Sequence, residues 1–197
     1  VGANVTIPHK VSIMPYLDEL DHSAKLTGAV NTIVIKEGKA IGYNTDAQGF
    51  VLSLLVKNIT LTDKFVVIMG AGGAARAVVS GLLEHNVANI MIGTRNVEKA
   101  AEFIQNFPAY TNLQGCNWDE PLFKKAMEQC DILINCTPIG MEASSQATLP
   151  INWETIPANA VICDLIYNPP LTQFLADAQN RGHVIINGAG MLIEQGA

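Results

Sequence analysis

The stretch that most constrains this chain is Lys64-Phe-Val-Val-Ile-Met-Gly-Ala-Gly-Gly-Ala-Ala-Arg76. Phe65–Met69 is an apolar run of the length of one buried strand. It stops at Gly70-Ala71-Gly72-Gly73-Ala74-Ala75, and helix formers then continue to about His85, with Gly81 the one weak position. Strand, glycine turn and helix in that order fit G-x-G-x-x-A, with Gly70, Gly72 and Ala75 in the key places. The first glycine makes the tight turn, the second lets backbone approach a pyrophosphate, and the small third residue lets helix and strand pack closely. The helix start offers free N–H groups and a positive dipole end to phosphates. The plainer alternative is a βα turn with no ligand; the flanking strand and helix favour a bound dinucleotide.

The totals bound the rest. A chain of 197 residues fits one large or two small domains, and at 49% hydrophobic and 15% charged it can bury a substantial core. A formal charge of −6 with no basic run argues against nucleic acid as a partner. Cys116, Cys130, Cys136 and Cys163 show no C-x-x-C pairing, so neither a metal site nor a disulfide framework is indicated. They read as reduced core thiols of a cytoplasmic protein. No apolar run approaches the ~18 residues of a membrane span. Val1-Gly-Ala-Asn4 lacks an initiator Met and runs straight into a motif, so a truncated chain is expected.

Ahead of the glycine turn, Asn4–Ile7 reads as a short strand ended by Pro8, placing Lys10 just past a strand end. Lys10 is either a solvated lysine opening a helix or a functional cation. Tyr16–Leu26 has helical spacing, and Gly28–Ile35 and Ala40–Tyr43 read as a hairpin. Asn31 interrupts an apolar run, so it must be hydrogen-bonded, to protein or to ligand. Asp46 or Thr45 stands where the cap of the next helix would stand, with Phe50, Val51, Leu54 and Leu55 on one face. The functional reading is that Asp46 and Lys10 meet in one cleft. Lys57–Asp63 is a polar connector into the dinucleotide domain.

Beyond the turn, Asn89–Gly93 is a second strand, followed by Thr94-Arg95-Asn96 and, one turn along, Lys99. This place, ~20 residues past the glycines, selects between the two nicotinamide dinucleotides. An acid would hold a ribose hydroxyl; Arg95 instead can grip a 2′-phosphate, which favours NADP over NAD. The other reading is an exposed loop cation with Asn96 capping a helix. Asp131–Cys136 and Ala160–Leu165 read as buried strands, Pro121–Gln129 as a helix, and Thr172 as the cap of a helix to Asn180. His183–Ile186 is a last strand, and Leu192–Gln195 starts a helix.

Six segments line up in order across nearly the whole chain. Asn4-Val-Thr-Ile-Pro-His-Lys10, Gly28-Ala-Val-Asn-Thr32 and Asn44-Thr-Asp46 precede the glycine turn. Asn135-Cys-Thr-Pro-Ile-Gly-Met141, Asp164-Leu-Ile-Tyr-Asn-Pro169 and Met191-Leu-Ile-Glu-Gln-Gly196 follow it. Together they strongly resemble the shikimate dehydrogenase family. The resemblance implies an α/β fold: a Rossmann-type NADP-binding domain at 58–187, and part of a smaller α/β substrate domain at 1–57. Residues 188–197 would begin a helix returning to that smaller domain. It implies reversible, NADP-dependent reduction of 3-dehydroshikimate to shikimate in aromatic amino-acid biosynthesis, with a small-molecule substrate and no nucleic acid or membrane. Monomer and homodimer are both left open.

By the same resemblance Lys10 and Asp46 form the catalytic pair, and Thr6, Lys10, Asn31, Asp46, Tyr167 and Gln195 bind substrate. The cofactor positions fall on Gly70, Ala71, Gly72, Gly73 and Ala74, on Thr94, Arg95 and Lys99, on Leu165 by its backbone, and on Gly188 and Met191 near the nicotinamide. Thr94-Arg95-Asn96 replaces the family's usual Asn-Arg-Thr but keeps the arginine. The family's N-terminal Ser-x-Ser or Ser-x-Thr pair and the end of its C-terminal helix are absent. Three rivals stand beside this reading: a quinate or dual quinate/shikimate dehydrogenase, another two-domain Rossmann enzyme such as a tetrahydrofolate dehydrogenase, and a non-catalytic relative. The last would be expected to lose Lys10 or Asp46. Which of that pair transfers the proton is left open.

Overall fold

The computed structural model describes residues 1–6, 8–141 and 148–196. The first part runs β1 (Gly2–Asn4), α1 (His9–Ser12), β2 (Glu19–Leu20), α2 (His22–Thr27), β3 (Thr32–Lys36), β4 (Lys39–Tyr43) and α3 (Asp46–Leu55). Its sheet has the order β1-β3-β4-β2, with β2 parallel to β4 and the other pairs antiparallel. The β3–β4 hairpin closes on Glu37 and Gly38, both at positive φ (53° and 77°), as a two-residue turn matched to strand twist requires.

Three local expectations fail here, each for a stated reason. The strand at the start is Gly2–Asn4, not Asn4–Ile7: the Val5 N–H turns to the Asn31 carbonyl and the His9 N–H to that of Thr6. Ile7 lies outside the described residues. Tyr16–Leu26 is not one helix. Asp18 accepts from the Ala40 N–H at 2.7 Å, and Asp21 accepts from the Ser23 N–H and hydroxyl, so two short acids take backbone donors and break it. Leu17 and Leu20 still share a side, but they pack over Gly42 of β4 rather than along a helix. The strand expected from Gly28 begins only at Thr32, because Gly28 is the left-handed residue (φ 63°) closing α2.

The second part alternates strand and helix. It runs β5 (Phe65–Met69), α4 (Gly73–Glu84), β6 (Asn89–Thr94), α5 (Val97–Ile104), β7 (Leu113–Asn117), α6 (Pro121–Met127), β8 (Ile132–Asn135), β9 (Val161–Asp164), α7 (Gln173–Gln179), β10 (Val184–Ile186) and α8 (Ala189–Glu194). The sheet order is β10-β9-β8-β5-β6-β7, parallel throughout. Chain order therefore reverses between β5 and β8, and the crevice beyond their carboxyl ends is where open sheets of this kind take ligands. The period of two sends Val66 and Ile68 to one face, with Leu54, Val78 and Leu82, and Val67 and Met69 to the other, with Phe123 and Leu175. β7 was not anticipated: Leu113-Gln-Gly-Cys-Asn117 has no clear alternation and is made a strand by pairing along β6. Cys116, Cys130 and Cys163 are buried free thiols, and burial pushes Cys130 up to about 12.

α3 joins the two sheets, and glycines set how closely. A Cβ on Gly81 of α4 would stand 2.8 Å from the Ala47 carbonyl and from Val51 of α3. On the other flank, a Cβ on Gly49 would stand 2.9 Å from the Gln195 nitrogen and the Met191 carbonyl of the α8 segment. Gly81, a poor helix residue by propensity, is thus present for packing. No helix among the described residues is long and apolar enough to cross a membrane.

One ion pair pins β5 to β8. Asp131 accepts from Lys64 Nζ at 3.0 Å and from the Phe65 N–H at 2.9 Å. Burial works against the charged form, but these two donors outweigh it and hold the carboxyl below its ordinary value. That stability is present above the usual carboxylate range and is lost as pH falls through the lowered folded value. Asp131→Asn should therefore cost up to about 1 kcal/mol at neutral pH, given a pair about one-third exposed. The difference should shrink in denaturant melts as pH falls below the ordinary carboxylate range; a pH-independent cost would reject the assignment.

Candidate active site

The site is built from loops at the ends of these elements. α1 carries Lys10 next to the Asn31 segment, because the Val30 N–H donates to the Lys10 carbonyl at 2.7 Å. Lys10 Nζ lies 2.7 Å from Asp46 Oδ2, with the two side chains 27% and 12% exposed. Asp46 is the first residue of α3, where the positive helix end favours its charge. It does not cap that helix, and neither does Thr45, whose side chain makes no capping bond. Asp46 Oδ1 instead accepts from Asn31 Nδ2 at 2.8 Å. Asn31 Oδ1 accepts from the Thr45 N–H and the Thr32 hydroxyl, both at 3.0 Å. Every polar group of Asn31 is thus engaged within the protein, while the residue still borders a cavity.

Two cavities adjoin this pair, and another continues along the glycine turn. The first, about 460 Å³, is bounded by Lys10 and Asp46 on one side and by Gly73 and Ala74 of the glycine turn opposite. Leu165, Tyr167, Gly188, Met191 and Gln195 complete it. The second, about 410 Å³, holds Gly70, Ala71 and Gly72 together with Thr94, Arg95 and Lys99. The third, about 390 Å³, contains Thr6, Lys10, Asn31 and Gln195. Every substrate- or cofactor-binding candidate from the sequence therefore borders one of three neighbouring spaces, while Ala75 of the glycine motif is buried. The first and third share Lys10 and Gln195; the first and second meet where Gly72 passes into Gly73.

The glycine turn fits an approaching phosphate. Positions of a Cβ on Gly72 and Gly73 meet nothing within 4 Å, and no side chain caps α4. Gly70, at φ 105°, would place a Cβ 3.2 Å from the Cys136 backbone, so it closes the turn against the end of β8. Thr94 is buried, with its hydroxyl donating to the Asn96 carbonyl and accepting from the Asn96 N–H. Asn96 caps α5 through the Lys99 N–H, while the Arg95 and Lys99 side chains stay exposed on the rim.

Sequence reasoning missed Trp118. Its ring lies 5.9 Å from the Arg95 guanidinium in the second cavity, and the Trp118 N–H donates to the Thr94 carbonyl. The signal was weak, since Trp118 follows the strand that the pattern did not disclose. Beneath the cavities, Asn135 binds the Thr137 N–H and hydroxyl and donates to Asp164. Burial raises the Asp164 carboxyl despite bonds from the Thr172 hydroxyl, the Ile166 N–H and Asn135. Among the described residues no group of His, Cys, Asp and Glu could hold a metal.

A crevice lined by a glycine turn at a strand-order reversal, faced by a lysine–aspartate pair from a second sheet, is the two-sheet α/β architecture of a dinucleotide-binding dehydrogenase. A family model described as shikimate dehydrogenase substrate binding domain matches residues 1–33. One described as shikimate / quinate 5-dehydrogenase matches residues 53–147. The shikimate dehydrogenase (NADP(+)) of Methanocaldococcus jannaschii is 46% identical over 200 residues, covering all of this chain and 70% of that relative. A solved shikimate 5-dehydrogenase from Listeria monocytogenes, in complex with shikimate and NAD, aligns at TM-score 0.92 and 31% identity, over 100% of this chain and 70% of that one. A 5-ketofructose reductase of Gluconobacter aligns at TM-score 0.88 and 39% identity, over 100% and 70%. The chain belongs to the shikimate dehydrogenase family.

Gly188 tests the site's packing. A Cβ there would stand 2.0 Å from the Leu165 carbonyl and must displace it. Gly188→Ala should lower stability by about 1–3 kcal/mol, the scale of overpacking. Wild-type melting would show that the close approach is not obligatory.

Proposed function

We propose that this chain is an NADP-dependent oxidoreductase that interconverts 3-dehydroshikimate and shikimate, a step in aromatic amino-acid biosynthesis. The observation that carries this is the Lys10–Asp46 pair at 2.7 Å, standing across a cavity from the glycine turn. Its place in the family, and the name of the 46% identical relative, support the substrate and the cofactor.

When bound, the nicotinamide supplies the hydride chemistry; the protein supplies position and charge. Gly70–Ala74 would hold the pyrophosphate and Thr94, Arg95 and Lys99 the 2′-phosphate. Leu165, Gly188 and Met191 would border the nicotinamide. Thr6, Asn31, Tyr167 and Gln195 would orient the substrate. In reduction, charge grows on the carbonyl oxygen, and Lys10 delivers a proton from Nζ. In oxidation the same nitrogen, unprotonated, receives the proton, or passes one on to Asp46 as it does so. Asp46 also accepts from a substrate hydroxyl and keeps Lys10 aimed.

We read residues 1–57 as the C-terminal part of the substrate domain, 58–187 as the Rossmann domain, and 188–197 as the start of a helix returning to the first. The confinement of one sheet to residues 2–43 and of the other to 65–186 supports that division, as does the seating of α8 on α3. The described site is made by one chain, so it serves a monomer or a homodimer alike. Free thiols fit a reducing cytoplasm. The family description itself also names quinate, which makes quinate the second substrate to test.

A spectrophotometric assay of the complete protein, with NADP or NAD against shikimate and quinate, tests the reading. Turnover with neither acid would end it. Lys10→Ala should lower turnover by about 10² or more, the scale of lost general-acid catalysis, with little change in substrate affinity. A variant with near-normal turnover would remove Lys10 from the role. Arg95→Ala should weaken NADPH far more than NADH; equal losses would reject the 2′-phosphate assignment.

A further inference from the structure

We propose that Thr45 is a positioning residue for this reaction, through a hydroxyl that locks the end of α8 to the lysine–aspartate pair; the proposal rests on the function just given. Thr45 Oγ1 donates to the Gln195 carbonyl at 2.8 Å, across 150 residues of sequence. Gln195 is the residue that ends α8, and its carbonyl is one of the last-turn acceptors that a helix leaves unpaired. Thr45, which stands just before α3, therefore caps a different helix from its own.

A hydroxyl has a single hydrogen. With that hydrogen directed at Gln195, Oγ1 can only accept from Asn31, whose Nδ2 lies 3.0 Å away. The Thr45 backbone N–H meanwhile donates to Asn31 Oδ1 at 3.0 Å. Thr45 thus holds both ends of the Asn31 amide and fixes which way it faces. In that orientation the second Nδ2 hydrogen meets Asp46 Oδ1 at 2.8 Å, leaving Oδ2 for Lys10. The reversed amide would turn an oxygen lone pair on the carboxylate. Gln195 carbonyl, Thr45, Asn31, Asp46 and Lys10 form one continuous chain of hydrogen bonds, in which Asn31 donates to both neighbours and Asp46 accepts from both.

The close seat of α8 makes this reach possible. Gly49, one turn along α3, has no room for a Cβ beneath the Gln195 nitrogen. Loss of the Thr45 hydroxyl would leave the Gln195 carbonyl and one Asn31 hydrogen without these partners. The Gln195 end of α8 and the Asn31 amide would then be free to shift together. Gly70, Gly72 and Arg95, which border the second cavity and neither of those at Gln195, would not.

The test uses the complete enzyme and the near-isosteric Thr45→Val. We expect kcat to fall and KM for shikimate to rise, each by about tenfold, the scale of one or two lost hydrogen bonds. NADP affinity measured by titration should stay within about twofold, since distant sites act independently. Thr45→Ser, which keeps the hydroxyl, should recover most of both losses. Should Thr45→Val not fold, Thr45→Ala carries the same expectation. Wild-type kcat and KM in a folded Val or Ala variant would overturn the proposal, as would a Ser variant as impaired as Val. A wild-type enzyme with no shikimate activity would instead sink the functional reading itself.

Discussion

The structure is arranged around a pair of charges that it does not leave in open water. Asp46 is buried, and a buried carboxylate is tolerated only where donors meet its oxygens. Lys10 answers one oxygen and Asn31 the other. Meeting that demand dictates much of the local chain path. Asn31 must stand at the start of β3, α1 must be drawn up beside Val30, and the Asn44-Thr45-Asp46 corner must bring the carboxylate in at the head of a helix. None of these short elements has a large core of its own; the polar network orders them.

The second constraint is distance between helices. α3 has α4 on one flank and α8 on the other, and both approaches depend on residues without side chains: Gly81 and Gly49. Gly190 repeats the arrangement from the α8 side, where a Cβ would lie 3.0 Å from Ser53 Cβ. Helices so close cannot be moved apart without losing contact along their length. The angle between the sheets is therefore set by backbone-near packing rather than by long, compliant side chains.

Much of this was legible in the chain itself, for reasons that differ by region. β5, the glycine turn and α4 were plain because a buried parallel strand is apolar throughout and its turn demands glycine. Lys10 and Asp46, 36 residues apart, stood in the residues only as one of two open readings, since no local pattern couples a lysine after a strand to an acid before a helix; the resemblance named them as a pair. The stretch Tyr16–Leu26 misled: the spacing of Leu17 and Leu20 suits a helix, but Asp18 and Asp21 bond to backbone and divide it. β7 and Trp118 stayed hidden because their conformation comes from β6 beside them, not from their own alternation. Asn31 showed as a buried amide in need of partners, but three of its four side-chain bonds go to Thr45 and Asp46, which only the folded chain brings beside it.

The lysine, the aspartate and the amide that orients it all come from the smaller sheet's half, before residue 57. The glycine turn and the Arg95 rim come from the larger. On the function proposed above, proton handling and dinucleotide choice would be lodged in separate pieces of polypeptide that meet only across a gap. Such a division lets lineages retune one without unsettling the other, so a switch of nicotinamide coenzyme could arise by substitutions around residues 94–99 while the acid–base couple is inherited intact.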